Sequence, residues 1–162
     1  MGTPPTVNTP KRLSGFLANA AHETGGFKWI IELASGDAYE NRKDLGNLYK
    51  GDGRKFKGRG IFQVTGRTNY GIMGKALGLD LLNKPELLAT PQYAVKSAAI
   101  FWKNIKGNGL MDLPEDWRSK TKRYSPFEYL CWRVNGGMNG YEERLKYFNK
   151  GLEVLNAEKA TV

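Results

Sequence analysis

Apolar positions recur at helical spacing over most of the chain, and the breaks between runs fall on glycine, proline and polar clusters. Thr9-Pro10 reads as an N-cap and a first helical position, because the hydroxyl accepts from an orphan N–H and Pro10 has none to leave unpaired. Behind it Leu13, Phe16, Leu17, Ala20 and Ala21 form one apolar stripe, which predicts a helix over 9–24 that Gly25-Gly26 stop. Glu23 falls on the same stripe. The segment 27–34 offers Trp29, Ile30, Ile31 and Leu33 as core anchors around Glu32. The stretch 35–58 is polar, glycine-rich and aperiodic, and connections that long inside a domain are usually functional. GRGIFQVTG at 58–66 predicts a short extended segment. Short helical pieces are expected over 69–77 and 80–88, split by Gly78. Thr90-Pro91 repeats the helix start, with Val95, Ala98, Ala99, Trp102 and Ile105 as its apolar face and Gly107 and Gly109 as its end. Residues 110–124 look irregular and carry Trp117 among charges. Ser125-Pro126-Phe127-Glu128 is a capping box opening a helix through Val134, which Gly136-Gly137 terminate. Tyr141, Leu145, Phe148, Leu152 and Leu155 give the last helix a single seam. The fold class is mainly α with a small extended or β element, organised as a leader over 1–8 and one domain over 9–162.

Composition narrows the setting. A chain of 162 residues can bury one sizeable core, and 40% hydrophobic content fits a globular chain rather than a disordered one. Cys131 is the only cysteine, so no disulfide within the chain can form, and it is expected to be a buried, inert thiol. The opening MGTPPTVNTPKR has no apolar run, so no signal peptide or membrane span is read there. The net charge of +9 calls for an anionic partner: nucleic acid, an anionic membrane or an anionic cell wall.

The candidate chemistry is carboxylate chemistry. Glu23 at the end of an apolar helix face should carry a raised pKa, as a general acid needs, whereas Glu32 beside a polar loop should stay ionised. Glu40, in the run YENRKD, is a rival base that reads better as part of a surface salt-bridge loop. Without further information, a glutamate pair at a helix–turn can also simply cap and solubilise it. Other chemistries recede. His22 is the only histidine, and His22-Glu23 lacks the second histidine of a zinc-protease helix, where Gly26 stands. Asp37, Asp44 and Asp52 are too far apart for a calcium loop, and no phosphate-binding glycine fingerprint completes itself. No cofactor or metal is expected. Arg54, Lys55, Lys57 and Arg59 around Phe56 are a weak case for nucleic acid. The last helix mixes Glu142, Glu143 and Glu153 with Arg144, Lys146 and Lys150, unlike a membrane-surface helix.

Taken together, AHETGGF at 21–27, Glu32, GRGIFQVTGRTNYG at 58–71 and VNGGMNG at 134–140 resemble family 19 glycoside hydrolases. The resemblance runs from about Asn8 to Leu155 and is nearer to the bacteriophage endolysin and bacterial lysozyme branch than to plant chitinases. It implies a single lysozyme-like or chitinase-like domain with the extended element beside a central cleft. It implies an acid at Glu23, a base at Glu32 and Thr65 holding the attacking water. Gln63, Asn69, Asn135 and Tyr70 would face sugar, and Arg144 would stand near the carboxylates. Inverting hydrolysis requires such a pair about 6.5–9.5 Å apart to admit a water. The implied activity is cleavage of β-1,4 links in peptidoglycan by a monomer made in a host bacterial cytoplasm and released to the wall, with no nucleic-acid partner and no stable membrane insertion. A chitinase, or a non-catalytic cationic wall-binding module, is the alternative. Two departures stand out: plant members use disulfides that one cysteine cannot make, and the endolysin-like relatives carry more chain before the HET helix.

Overall fold

The computed structural model describes residues 6–159, with side chains described as far as Asn156. Helices carry the fold: α1 (Pro10–Glu23), α2 (Asp52–Lys55), α3 (Arg67–Leu77), α4 (Pro91–Asn104), α5 (Gly107–Met111), α6 (Pro126–Asn135) and α7 (Tyr141–Lys159). Short 3-10 turns stand at Asp37–Tyr39, Lys43–Leu45 and Pro85–Ala89. Among the described residues no strand forms. The expected extended element is reduced to two isolated antiparallel bridges, Ile31 with Arg59 and Arg59 with Val64. The chain divides into two compact units, one formed by the described residues up to Gly26 with those from Phe101 onward, the other by Phe27–Ile100.

In the first unit α1 lies against α7, and its buried face follows the predicted stripe only in part: Ala20 and Ala21 are buried and Phe16 packs edge-to-face on Trp102. Ser14, Gly15, Ala18, Asn19, Ala20 and Ala21 are buried, whereas Leu17 is 39% exposed. Small residues face inward because the neighbours come close. A Cβ added at Gly151 of α7 would sit 2.7 Å from Ser14 Oγ, and one at Gly15 would sit 2.7 Å from Met111 Sδ. The large side chains come from the partners: Trp102, Met111, Phe127, Leu130 and Phe148 make the core, with the Phe127 and Phe148 rings stacked at 4.1 Å. The seam of α7 holds, since Tyr141, Leu145 and Leu152 pack beside Phe148. Both predicted caps form. Thr9 Oγ1 accepts from the Arg12 N–H at 3.2 Å, and Ser125 and Glu128 exchange bonds as a capping box. Gly107 opens α5 rather than ending α4, because its bare Cα lies over the Trp102 indole, where a Cβ would stand 2.2 Å from Cε2. Cys131 is buried, and desolvation pushes its thiol up to about 12. Residues 1–5 lie outside the described residues, but Val7 packs on the core and the Thr6 carbonyl accepts from Asn108 Nδ2 at 3.2 Å.

In the second unit Phe56, Tyr70, Leu81 and Leu88 form a fully buried cluster. The predicted helix over 80–88 is a turn followed by the 3-10 segment Pro85–Ala89, since Pro85 has no N–H to continue a helix. Val95, placed on the apolar face of α4 by its spacing, is exposed. The polar stretch 35–58 is built around buried polar groups. Asp52 is 2% exposed and takes a two-pronged ion pair from Arg67, Nη2 to Oδ1 at 2.6 Å and Nε to Oδ2 at 2.8 Å. Its Oδ2 also accepts the Leu48 and Tyr49 N–H groups, both at 3.1 Å. Buried Asn47 accepts the Arg67 N–H and donates to the Tyr39 carbonyl, both at 2.9 Å. Side chains here replace the backbone ladders that would otherwise satisfy a long connection.

Candidate active site

Glu23 closes α1. The helix stops there because Gly25 and Gly26 take positive φ of 58° and 76°, and the Gly26 N–H returns to the Ala21 carbonyl at 2.8 Å. Glu23 was expected in an apolar setting. Its setting is ionic: the carboxylate is about a quarter exposed and accepts at 2.5 Å from Nη2 of Arg144, a guanidinium buried to 1%. The other prongs of Arg144 are occupied as well. Nη1 donates to Asn19 Oδ1 at 2.8 Å and Nε to the Asn139 carbonyl at 3.3 Å. Asn19, four residues before Glu23, is itself buried and donates from Nδ2 to the Gly15 carbonyl at 2.9 Å. A buried charge needs such partners. His22 contributes to the same corner. Its Nδ1 pairs with Glu143, and a Cβ at Gly140 would collide with its ring. Asn19, His22 and Glu143 were missed as parts of this site. A polar residue within the inward face of α1 was the available signal for Asn19.

Glu32 is held in the second unit, and not by the apolar anchors proposed for it. Trp29, Ile31 and Leu33 are exposed, at 53%, 42% and 73%. The segment is fixed by backbone bonds instead: the Glu32 N–H donates to the Gly58 carbonyl at 2.9 Å, and the Gly60 N–H to the Ile30 carbonyl at 2.8 Å. Among the described residues each carboxylate oxygen has one donor. The Tyr39 hydroxyl bonds Oε1 at 2.8 Å and the Gly58 N–H bonds Oε2 at 3.0 Å. That bond holds the Tyr39 phenol above its ordinary range, so it stays a donor. A carboxylate has about four acceptor positions, so one donor on each oxygen leaves room for a water. Tyr39 had no signal beyond being a phenol near a glutamate.

Gln63 is brought beside Glu32. A Cβ at Gly58 would meet Gln63 Oε1 at 2.3 Å and Glu32 Oε2 at 3.2 Å, so both side chains close over that glycine. Gln63 sits at φ 48°, and its Nε2 donates to the Gly60 carbonyl at 2.9 Å. Thr65 follows on the same turn, its hydroxyl donating to the Gln63 carbonyl at 3.3 Å, and Asn69 Nδ2 donates to the Thr65 carbonyl at 2.8 Å. Tyr70 is a correction. It is fully buried, its hydroxyl donates to the Lys57 carbonyl at 2.6 Å, and burial pushes it up to about 12. It is core packing, with no face for a sugar. Asn135 is exposed at the end of α6. Glu40, the rival base, accepts from the Gly51 N–H at 2.7 Å and the Gly53 N–H at 2.8 Å, so its two oxygens tie down the start of α2. Among the described residues no cluster of three or more His, Cys, Asp or Glu could hold a metal ion.

Known proteins share this arrangement of elements. The chitinase class I family model matches residues 2–126, short of Asn135 and Arg144. A glycosyl hydrolase family 19 domain-containing protein of Haemophilus influenzae is 31% identical, over 82% of this chain and 74% of that protein. An endochitinase of Pisum sativum is 35% identical over 94% of this chain, which spans about half (49%) of that enzyme's length. Among solved structures, a class IV chitinase from Zea mays superposes with a TM-score of 0.67 at 27% identity, covering 90% of this chain and 69% of that one. Chitinase C from Streptomyces griseus, at 23% identity and a TM-score of 0.63 over 90% of this chain and 60% of that one, shares the fold. These matches define a glycoside hydrolase. The chain belongs to glycosyl hydrolase family 19.

Proposed function

We propose that the chain hydrolyses the β-1,4 glycan strands of bacterial peptidoglycan as an endolysin-type lysozyme, by direct displacement at the anomeric carbon. Glu23 donates its proton to the departing glycosidic oxygen while Glu32 takes a proton from the attacking water, so one bond to the anomeric carbon breaks as another forms. The buried Arg144 fixes the Glu23 carboxyl in place and faces the negative charge it acquires on giving up the proton. Tyr39 and the Gly58 N–H fix Glu32, Thr65 orients the water, and Gln63, Asn69 and Asn135 hold the sugar. The observation that carries the choice of polymer is the net charge of +9: peptidoglycan is acidic, whereas chitin is neutral. The enzyme would act as a monomer that reaches the wall from a host cytoplasm.

Chitin is the second reading, favoured by the names of the plant relatives, which are endochitinases. Mass spectrometry of products from purified peptidoglycan and, separately, from chitin oligomers tests both. Disaccharide-peptide products from the wall with slow turnover of chitin hexamer are expected. Rapid turnover of chitin with no products from the wall would replace this reading by the chitinase.

A further inference from the structure

The outward face of α6 carries side chains that its position does not call for. The core face of this helix is Phe127, Leu130 and Cys131, with Val134 packed beside them. At 100° per residue, Tyr129 and Trp132 fall about 200° and 140° from Phe127, on the side away from the core, where polar residues are the rule. They are half-buried all the same, because they cover one another. The Tyr129 and Trp132 rings are parallel within 7°, with centroids 5.6 Å apart. Trp117, from the irregular segment before α6, meets Tyr129 as well, its ring tilted by 44° with centroids 5.7 Å apart. Three aromatic rings thus form a continuous apolar strip on the surface of the first unit. Exposed Arg118 and Arg133 adjoin Trp117 and Trp132 in sequence, and exposed Asn135 follows one turn after Trp132.

We infer that Trp117, Tyr129 and Trp132 form a docking strip for an acidic N-acetylhexosamine glycan. Pyranose rings present flat C–H faces that pack on aromatic rings, and successive sugars would meet successive rings of a strip. The two guanidinium groups suit the carboxylates of a peptidoglycan strand, which chitin lacks. A single-stranded nucleic acid would use the same two chemistries, stacking and charge. The glycan is favoured because the chain is a family 19 glycoside hydrolase. The preference for an acidic glycan rests on the peptidoglycan reading above, whereas the strip itself does not.

The test is binding in a Glu23→Gln background, where substrate is not consumed, using soluble peptidoglycan strands, chitin hexamer and a single-stranded oligonucleotide. Trp117→Ala and Trp132→Ala should each weaken the peptidoglycan complex by about 3–10-fold, and Trp132→Phe should restore most of the loss. The indole N–H resonances of Trp117 and Trp132 should move on titration with the glycan. Still indole resonances, unchanged affinity in folded alanine variants, or a response to the oligonucleotide alone would overturn the inference. If Trp132→Ala fails to fold, Trp117→Ala and the resonances decide. Shifted indoles with no wall products would sink the proposed activity and leave the strip standing.

Discussion

At the residue scale the two carboxylates differ in what holds them, and this sets what their loss should cost. Glu23 faces a buried guanidinium. Glu23→Gln therefore removes the proposed acid, a loss of about 10²–10⁴-fold in turnover, and also leaves Arg144 without its counter-charge. A fall in melting temperature of several degrees should accompany the loss of rate, in line with about 1–3 kcal/mol for a charged hydrogen bond. Calorimetry beside a wall-digestion assay checks both, and near-normal turnover would displace Glu23 as the acid. Glu32 is held by one hydroxyl and one backbone N–H, and neither is left with a buried charge when it goes. Glu32→Gln and Thr65→Ala should depress kcat with little change in melting temperature, Glu32→Gln the more severely. If both act on one water, the double variant should lose less than the product of the single losses. Full additivity would separate Thr65 from that water.

At the scale of elements, the polar stretch 35–58 works as a frame. Glu40→Gln should leave kcat unchanged among folded molecules yet cost about 1–2 kcal/mol, because an amide offers one acceptor where two backbone N–H groups now bond. Were Glu40 the base, kcat would collapse and the assignment of Glu32 would fall. Asp52 carries a pH signature. Arg67 holds its carboxyl below the ordinary 3.8, so its contribution to stability is full above that value and is lost as the pH falls through the lower folded value. Asp52→Asn should lower stability at pH 7 by about 2–4 kcal/mol, and the gap from the parent should narrow as the pH falls through the lowered folded value of Asp52. A constant gap across acid denaturation curves would contradict this. The same stretch shows where sequence reading reaches its limit. The caps at Thr9 and Ser125 were legible because a cap is a contact between near neighbours. Asp52 with Arg67 and Glu40 with Gly53 join residues more than a dozen positions apart, and no periodicity announces them. The inward face of α1 was read only in part, Phe16, Ala20 and Ala21 correctly and Ser14 and Asn19 not at all, for a related reason: apolar spacing shows where large side chains recur, not how closely Gly151 lets α7 approach Ser14. The carboxylates and Gln63 were readable as motif, whereas Asn19 and Tyr39 emerged only with their partners in place.

At the scale of the whole molecule, charge is the property that distinguishes the proposed substrate from its neutral counterpart. Arginine and lysine together number 25 against 16 acidic residues, and several of the arginines are already committed to ion pairs. Pairs with one buried member, such as Arg144 with Glu23, are partly withdrawn from solvent and respond less to salt. The uncommitted positive charge sits on exposed lysines and arginines, where screening acts over about 8 Å at physiological ionic strength. Raising salt should therefore weaken attraction to an acidic wall well before it disturbs the fold. Digestion of purified peptidoglycan should fall steeply between low salt and about 0.3 M, while the melting temperature moves little over the same range. Turnover of neutral chitin hexamer, however slow, should stay nearly flat, because no long-range charge attraction is lost. Parallel salt dependence on both polymers would place the effect within the catalytic machinery. A flat curve on peptidoglycan would remove the charge argument for the wall and leave chitin as the better reading.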